Sequence, residues 1–142
     1  MNICVIKMAE RFYFDTSIWL DIYEKRDYNG EVALKLIKKI IEEDSKILYS
    51  DIHVIELKNL GYSFNDINKI FKIAKPNNIL RVHIYEEQKE EAKRISLTRN
   101  VPKRDALHSI LARDNEAQLI TRDNHFQKIV DITKPQKPEE II

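Results

Sequence analysis

Four acidic residues occupy positions that are unusual for ordinary solvated surface acids. Together they have the chemistry of a cation site. They are Asp15, Glu56, Asp105 and Asp123. Carboxylates that converge repel one another and disfavour ionisation, unless a divalent cation removes that penalty. Oxygen ligands without clustered His or Cys favour Mg²⁺ or Mn²⁺ over zinc. A metal held in this way activates water and neutralises charge on a phosphate, which suits hydrolysis of a phosphodiester bond.

Asp15 and Asp123 each stand at the end of a predicted strand, residues 11–15 and 118–121. Ligands of open α/β sheets bind beyond the carboxyl ends of the strands. In a parallel sheet these two acids should therefore emerge on the same edge. Each also has a purely structural interpretation, because Asp15 could cap the next helix and Asp123 could form a turn with Asn124.

Glu56 falls inside an apolar stripe of a helix predicted over residues 51–60. Ile52 and Leu60 lie four residues before and after it, which places all three on one helical face. An ionised carboxylate on such a face is costly unless it is paired or bound to a cation. A salt bridge to a nearby Lys or Arg, or a neutral glutamic acid, is the alternative.

Asp105 occurs in the first turn of a helix that Pro102 begins. The helix dipole favours an acid there, which is its structural interpretation. However, the buried face of this helix is predicted from Leu107, Ile110 and Leu111, and Asp105 projects away from that face. It is therefore free to point toward the strand ends.

The four histidines show no metal-ligand spacing, so structural roles are expected for them: His53, His83, His108 and His125. His108 follows Asp105 by three residues and is the one histidine that could line the acidic site.

Strands alternate with helices along the chain, which predicts a parallel sheet covered on both faces. Strands are predicted at 11–15, 46–49, 79–85 and 118–121, and helices at 17–26, 29–44, 51–60, 64–74, 86–100 and 102–116, with a short helix from 125. The expected fold class is α/β, with three α/β/α layers in a single domain over residues 1–142. Residues 1–9 are a candidate extra N-terminal segment, and 134–142 are expected to form an irregular tail.

Composition excludes several classes of protein. At 142 residues, with 43% hydrophobic and 33% charged residues, the chain has the profile of one globular domain. A net charge of +1 neither favours nor opposes nucleic acid binding. Cys4 is the only cysteine, so an internal disulfide is impossible. No apolar run is long enough for a membrane span, and we expect the protein to be located in the cytoplasm. No phosphate loop, nucleophile elbow or zinc motif supports an NTPase, an α/β-hydrolase or a zinc protease.

Four segments resemble, in order, the successive motifs of PIN domains: Phe14-Asp15-Thr16-Ser17, 50–57, 105–112 and 119–123. The resemblance extends over residues 11–126. It implies a central parallel sheet of four or five strands flanked by helices, and Mg²⁺- or Mn²⁺-dependent cleavage of RNA. It also implies that Asp15, Glu56, Asp105 and Asp123 are the catalytic and metal-binding acids. Thr16 and Thr121 would support them through hydroxyl hydrogen bonds.

The small size of the chain resembles that of VapC-type toxins, which are commonly homodimeric and neutralised by a separate antitoxin. The resemblance therefore implies an antitoxin partner and a homodimer. The helical hairpin at 51–74 would be the usual partner-binding surface, although its exposed face is mixed in composition. Four basic residues flank the acids and are candidates for phosphate contacts, with surface ion pairs as the alternative: Lys103, Arg104, Arg113 and Arg122.

Other functions remain open at this point. A PIN-like nuclease of RNA maturation or decay would need no antitoxin. A silent PIN-like module that binds RNA or protein would have lost one or more acids, and all four are present here. A phosphotransfer enzyme of the haloacid-dehalogenase type would need a second Asp two residues after Asp15, where Ser17 stands, and a response-receiver fold fits poorly.

Overall fold

Four short parallel strands form the central sheet of the computed structural model, which describes residues 10–142. They are β1 (Arg11–Phe14), β2 (Lys46–Tyr49), β3 (Ile79–Arg81) and β4 (Gln118–Ile120). Their order across the sheet is β3-β2-β1-β4, and every neighbouring pair is parallel. The predicted N-terminal segment and Cys4 lie outside the described residues.

Six helices cover the sheet: α1 (Thr16–Tyr23), α2 (Asp27–Glu42), α3 (Asp51–Asn59), α4 (Phe64–Phe71), α5 (Glu86–Arg99) and α6 (Lys103–Asp114). Short 3₁₀ turns occur at Pro76–Asn78, Asn124–Ile129 and Pro138–Glu140. Helix α1 packs on α2, and α5 packs on α6. This confirms the predicted α/β fold with a parallel sheet between two helical layers.

The central residues of β1 and β2 are apolar on both faces because helices bury both faces of the sheet there, whereas the edge strand β3 is partly exposed. Along β1, Phe12 and Phe14 point into one core, which also contains Trp19. Tyr13 points into the other core, with Leu48 of β2 and residues of α6. This alternation follows from the two-residue period of a strand, and it sends the hydroxyl of Tyr13 toward α6.

Local signals set several helix ends. Ser63 caps α4, because its Oγ accepts a hydrogen bond from the N–H of Asp66 at 3.1 Å. After α3, Gly61 has a φ of +96°, a conformation that glycine adopts without strain. Helix α3 therefore stops near Gly61, as the sequence predicts.

Some predicted bounds differ from the structure. Strand β3 ends at Arg81 instead of residue 85, because the N–H of Val82 makes the last bond to β2, at Tyr49, before β2 gives way to α3. Helix α2 starts at Asp27, before the predicted 29 or 30, and the predicted helix from 125 is the 3₁₀ turn Asn124–Ile129.

The last residues of the chain contact the free edge of β4. Gln136 forms a single parallel bridge with Ile120, through hydrogen bonds of 3.0 Å that also involve Thr121 and Leu119. Among residues 10–142, no helix combines the length and apolarity needed to cross a membrane.

Candidate metal and active site

The four predicted acids lie at the carboxyl edge of the sheet, and four different elements bring them there. Asp15 follows β1 and Asp123 follows β4; these strands are neighbours, and the N–H of Asp15 still bonds to the carbonyl of Ile120 at 2.9 Å. Glu56 comes from α3 and Asp105 from the first turn of α6. The acids form two adjoining groups.

The inner cluster consists of Asp15, Glu56 and His108, with one ligand atom of each within 4.8 Å of the others. Asp15 is 8% exposed. Its Oδ2 accepts hydrogen bonds from Thr121 Oγ1 at 2.9 Å and from Ser17 Oγ at 3.1 Å. Burial raises the pKa of Asp15, and the charge of Glu56 adds to this, while His108 and the two hydroxyls oppose it. Asp15 is therefore a carboxylate held in place by two donors.

His108 connects Glu56 to the core of the protein. Its Nδ1 lies 2.6 Å from the hydroxyl of Tyr13, and its Nε2 contacts Glu56 Oε1. Burial opposes the charged ring, but the bond to Glu56 and the nearby carboxylates outweigh it, so the pKa of His108 is raised. Burial would raise the pKa of Glu56, but the hydrogen bond to His108 and the charge of His108 outweigh it. The pKa of Glu56 is therefore lowered. Both directions favour an ionised His108–Glu56 pair.

His53 lies beside this pair and is neutral. Burial, with the charge of His108 added, lowers the pKa of His53 to about 3. Its Nδ1 accepts a hydrogen bond from the N–H of Ser50 at 3.0 Å, so the proton is on Nε2, which donates to the carbonyl of Phe14 at 2.6 Å. The bond ties α3 to the end of β1 directly before Asp15. His53 therefore positions the backbone of the inner cluster.

The outer cluster consists of Asp105, Asp123 and His125, again with one ligand atom of each within 4.8 Å of the others. Burial, then the charges of Asp123 and Asp15, raise the pKa of Asp105 to about 6. Because Asp105 is repelled by both Asp123 and Asp15, the two clusters form one continuous negative region. The sequence predicts raised pKa values for converging acids. The pKa values of Asp105 and Asp15 are raised, whereas the pKa of Glu56 is lowered by its pairing with His108.

Thr121 connects the two clusters. Its hydroxyl donates to Asp15 and accepts a hydrogen bond from the N–H of Asp123 at 3.0 Å. Thr16 is the second hydroxyl expected to support the acids, but it does not do so. Its Oγ1 is buried and has no hydrogen-bond partner within the described part of the chain. Ser17 makes the second hydroxyl bond to Asp15 instead.

The donor set fits a divalent cation. Four carboxylates from separate elements face one another, and no Lys or Arg forms an ion pair with any of them within residues 10–142. In the inner cluster, His108 balances part of this negative charge through its pair with Glu56. Oxygen-rich sites of this kind suit Mg²⁺ and Mn²⁺.

A model of the PIN domain family matches residues 12–132. The chain belongs to the PIN domain family. This confirms the resemblance seen in the four motifs, and PIN domains are nucleases. A comparison with curated proteins found no significant match.

Solved structures that share the fold of this PIN domain include the following two. One is a toxin–antitoxin complex from Klebsiella pneumoniae, with 18% identity, a TM-score of 0.60, and coverage of 89% of this chain and 97% of that chain. The other is VapBC2 from Rickettsia felis bound to a DNA fragment from their promoter, with 15% identity, a TM-score of 0.65, and coverage of 89% and 98%. At these identities the similarity concerns the fold.

The four basic residues singled out in the sequence differ in their surroundings. Lys103 and Arg104 are exposed in the first turn of α6, beside Asp105. Arg113 lies near the other end of α6, roughly 12 Å along the axis from Asp105, and forms two hydrogen bonds of 2.7 and 2.8 Å with Glu91. Arg122 is paired with Glu139 at 2.8 Å. Only the first pair is both near the acids and exposed.

The sequence did not point to several polar residues of the site. Tyr13 sits in an aromatic strand and could not be distinguished from a core residue, and His53 and His125 lack the spacing of metal ligands. His108 carried one usable signal, because three residues on a helix separate it from Asp105. The apolar stripe proposed around Glu56 is wrong at Leu60, which is 63% exposed. Glu56 is instead half-buried because His108 lies against it.

Proposed function

We propose that this PIN domain is a metal-dependent ribonuclease. The observation that carries the proposal is the convergence of its acids, which come from four separate elements and meet at the carboxyl edge of the sheet. No Lys or Arg among residues 10–142 forms an ion pair with them. Burial, followed by repulsion from Asp123 and Asp15, raises the pKa of Asp105 to about 6, which is a cost to the metal-free protein. A divalent cation would relieve that cost, and RNA is the substrate that the PIN motifs imply.

The residues that would hold Mg²⁺ or Mn²⁺ are Asp15, Glu56, Asp105 and Asp123. The ion, when bound, activates water and neutralises charge on the scissile phosphate. Thr121 and Ser17 orient Asp15, and His108 keeps Glu56 ionised. Held in this way, the carboxylates need little rearrangement to bind a cation.

Lys103 and Arg104 are the proposed contacts for the RNA backbone. Both are exposed and flank Asp105 on the first turn of α6. The pKa of Glu56 is raised by burial and lowered by His108. The charge of Arg104 lowers it further, so Arg104 acts electrostatically on the inner cluster. Arg113 and Arg122 would contribute less, since Glu91 and Glu139 already neutralise them.

The test is cleavage of single-stranded and structured RNAs by the purified chain, with Mn²⁺, with Mg²⁺ and with EDTA. Cleavage should require the metal, and it should fall by at least about 100-fold in Asp15→Asn and in Asp123→Asn, because loss of a ligand should exceed the 10- to 100-fold effects of outer residues. Asp44→Asn is a matched control. Asp44 is exposed, precedes β2 at the opposite edge of the sheet, and has a φ of +53°, which Asn tolerates.

Cleavage that survives both Asp15→Asn and Asp123→Asn would contradict the proposal. Metal binding without cleavage of any RNA would favour the silent binding module. Full activity in EDTA would remove the metal from the mechanism.

We also propose that the enzyme is the toxin of a toxin–antitoxin pair. This chain is similar in fold to a chain of a toxin–antitoxin complex and covers 97% of it. The α3–α4 hairpin exposes three large apolar side chains, Ile55, Leu60 and Phe64, which an antitoxin segment could cover. A cytoplasmic location belongs to the same proposal, as does a homodimer, for which light scattering should give twice the chain mass of 16.9 kDa.

Induced expression of the chain alone tests the toxin role. Growth should stop with the wild-type protein and continue with Asp15→Asn at equal expression. Harmless expression of an enzyme that is active in vitro would contradict the toxin role and favour a nuclease of RNA maturation or decay, while leaving the nuclease proposal intact.

A further inference from the structure

The ring of His125 faces both acids of the outer cluster at the same distance. Its Nδ1 lies 3.4 Å from Asp105 Oδ2 and 3.4 Å from Asp123 Oδ1. Both separations exceed the usual length of an N–H···O hydrogen bond, which is about 2.7–3.2 Å. Adjacent ligands of an octahedral ion, each about 2.1 Å from it, lie roughly 3 Å apart. The three ligand atoms lie within 4.8 Å of one another, close enough for one ion to draw them together, and the ring nitrogen is not held by either acid at ordinary hydrogen-bond length.

The backbone of His125 is anchored while its ring is open to solvent. The N–H of His125 donates to Asp123 Oδ1 at 2.9 Å, and the next residue, Phe126, is fully buried. The imidazole itself is 56% exposed. The 3₁₀ turn therefore holds the ring beside the two carboxylates while the ring remains open to solvent.

The other histidines are placed differently. Both ring nitrogens of His108 are already engaged, by Tyr13 and by Glu56, and both nitrogens of His53 contact the backbone. His83 is exposed and packs edge-on against Tyr85. Of the histidines in the described part of the chain, only His125 presents an uncommitted ring nitrogen to the acids.

We propose that His125 is a nitrogen ligand for the ion held by Asp105 and Asp123, and that this ligand makes the site prefer Mn²⁺ to Mg²⁺. Imidazole suits transition metals, whereas Mg²⁺ is bound by oxygen. The inference rests on the proposed metal-dependent function and narrows its cofactor. It would add a nitrogen ligand to the oxygen ligands expected from the sequence, because His125 lies beside Asp123 in space as well as in sequence.

The test is metal binding by the EDTA-treated full chain, measured separately from activity. Mn²⁺ alone is titrated by calorimetry, and pulsed EPR of the bound Mn²⁺ detects coupling to imidazole ¹⁴N. Wild-type protein should show this coupling, His125→Ala should lose it, and the control His83→Ala should keep it. Affinity for Mn²⁺ should fall by roughly tenfold or more in His125→Ala, while Mg²⁺ affinity should change by less than about twofold, because an oxygen-selective ion gains little from imidazole.

Several results would overturn the inference. Bound Mn²⁺ without nitrogen coupling in wild type would do so and leave the nuclease proposal standing. Nitrogen coupling that persists in His125→Ala would also overturn the inference, as would equal losses of Mn²⁺ and Mg²⁺ affinity in that variant. If the wild-type chain bound neither ion, the inference and the metal-dependent function would both fail.

Discussion

The inner and outer clusters have the same composition, two carboxylates and a histidine, but their surroundings are opposite. In the inner cluster His108 is fully buried and Asp15 is 8% exposed. In the outer cluster the side chains of Asp123 and His125 are 39% and 56% exposed. The inner histidine forms a close pair with its acid, whereas the outer histidine lies 3.4 Å from two acids.

This difference in surroundings indicates that the two clusters have different roles. Charges in the inner cluster are compensated by the protein, through His108 and the hydroxyls of Thr121 and Ser17, so its geometry is set before any ligand arrives. Charges in the outer cluster are less fully compensated. Burial, followed by the charges of Asp123 and Asp15, raises the pKa of Asp105 despite the opposing effects of His108 and His125. We infer that the inner cluster provides a rigid base and that the outer cluster supplies much of the drive to bind a cation, at the expense of stability.

The largest effect should come from removing the inner histidine. His108→Ala should lower the free energy of unfolding by about 3 kcal/mol, because it leaves Glu56 without its partner, leaves Ser50 as the remaining contact of the Tyr13 hydroxyl, and opens a cavity. His125→Ala is the matched change in the outer cluster, and as a surface substitution it should alter stability by less than about 0.5 kcal/mol. Urea unfolding at pH 7.5 in EDTA measures both.

Equal costs for the two histidines would contradict the distinction between a compensated and an uncompensated cluster. A far-UV spectrum of each variant confirms that it is folded before unfolding is measured.

The next effect has the opposite sign. Asp105→Asn should stabilise the metal-free protein by about 1–2 kcal/mol at pH 7.5, because it removes a partly buried charge repelled by Asp123 and Asp15. The folded pKa of Asp105, about 6, exceeds its ordinary value of 3.8. Between these values the folded protein binds a proton that the unfolded chain lacks, so wild-type stability falls as pH rises through the range.

The advantage of Asp105→Asn should therefore disappear below about pH 4, where Asp105 is neutral in both states, and should be complete above about pH 7. Urea unfolding in EDTA at pH 3.5 and pH 7.5 checks both limits. A destabilised Asp105→Asn at pH 7.5 would show that the outer cluster is compensated after all.

A smaller loss is expected deeper in the inner cluster. Tyr13→Phe removes a hydroxyl that lies 2.6 Å from His108 Nδ1 and 3.1 Å from Ser50 Oγ, and it should cost about 1 kcal/mol of stability. Tyr28→Phe is the control, since Tyr28 is 62% exposed. NMR signals of the His108 ring should shift in Tyr13→Phe and not in Tyr28→Phe. An unchanged ring would mean that Tyr13 does not reach His108 in solution.

The fold could be predicted from the sequence because its signals are local or periodic. Alternating strands and helices, with apolar runs such as residues 12–14, are enough to indicate a parallel sheet covered on both sides. The positions of Asp15 and Asp123 at strand ends then place both acids at one edge. The length of β3 could not be predicted, because it depends on where its partner β2 ends.

Part of the polar support of the acids could not be predicted, because it depends on contacts between distant segments. Tyr13 and His108, for example, are 95 residues apart. Thr121 lies 106 residues from Asp15, and its supporting hydroxyl is expected only because the resemblance to PIN domains implies it. Nothing in a single strand shows which aromatic residue will find a histidine across the core. Neighbouring hydroxyls are equally ambiguous, since Thr16 and Ser17 both follow Asp15 and differ only in the direction that α1 gives them.

The smallest expected effect comes from substituting these two neighbouring hydroxyl residues. Ser17→Ala removes a 3.1 Å bond that lowers the pKa of Asp15, so Mn²⁺ affinity should fall two- to threefold, or about 0.5 kcal/mol. Thr16→Val is the comparison, because it removes a buried hydroxyl that has no partner among residues 10–142. It should leave Mn²⁺ affinity unchanged and keep or slightly raise stability. If calorimetry gave the reverse order, Thr16 would be the supporting hydroxyl and the direction of α1 after Asp15 would differ from the one described.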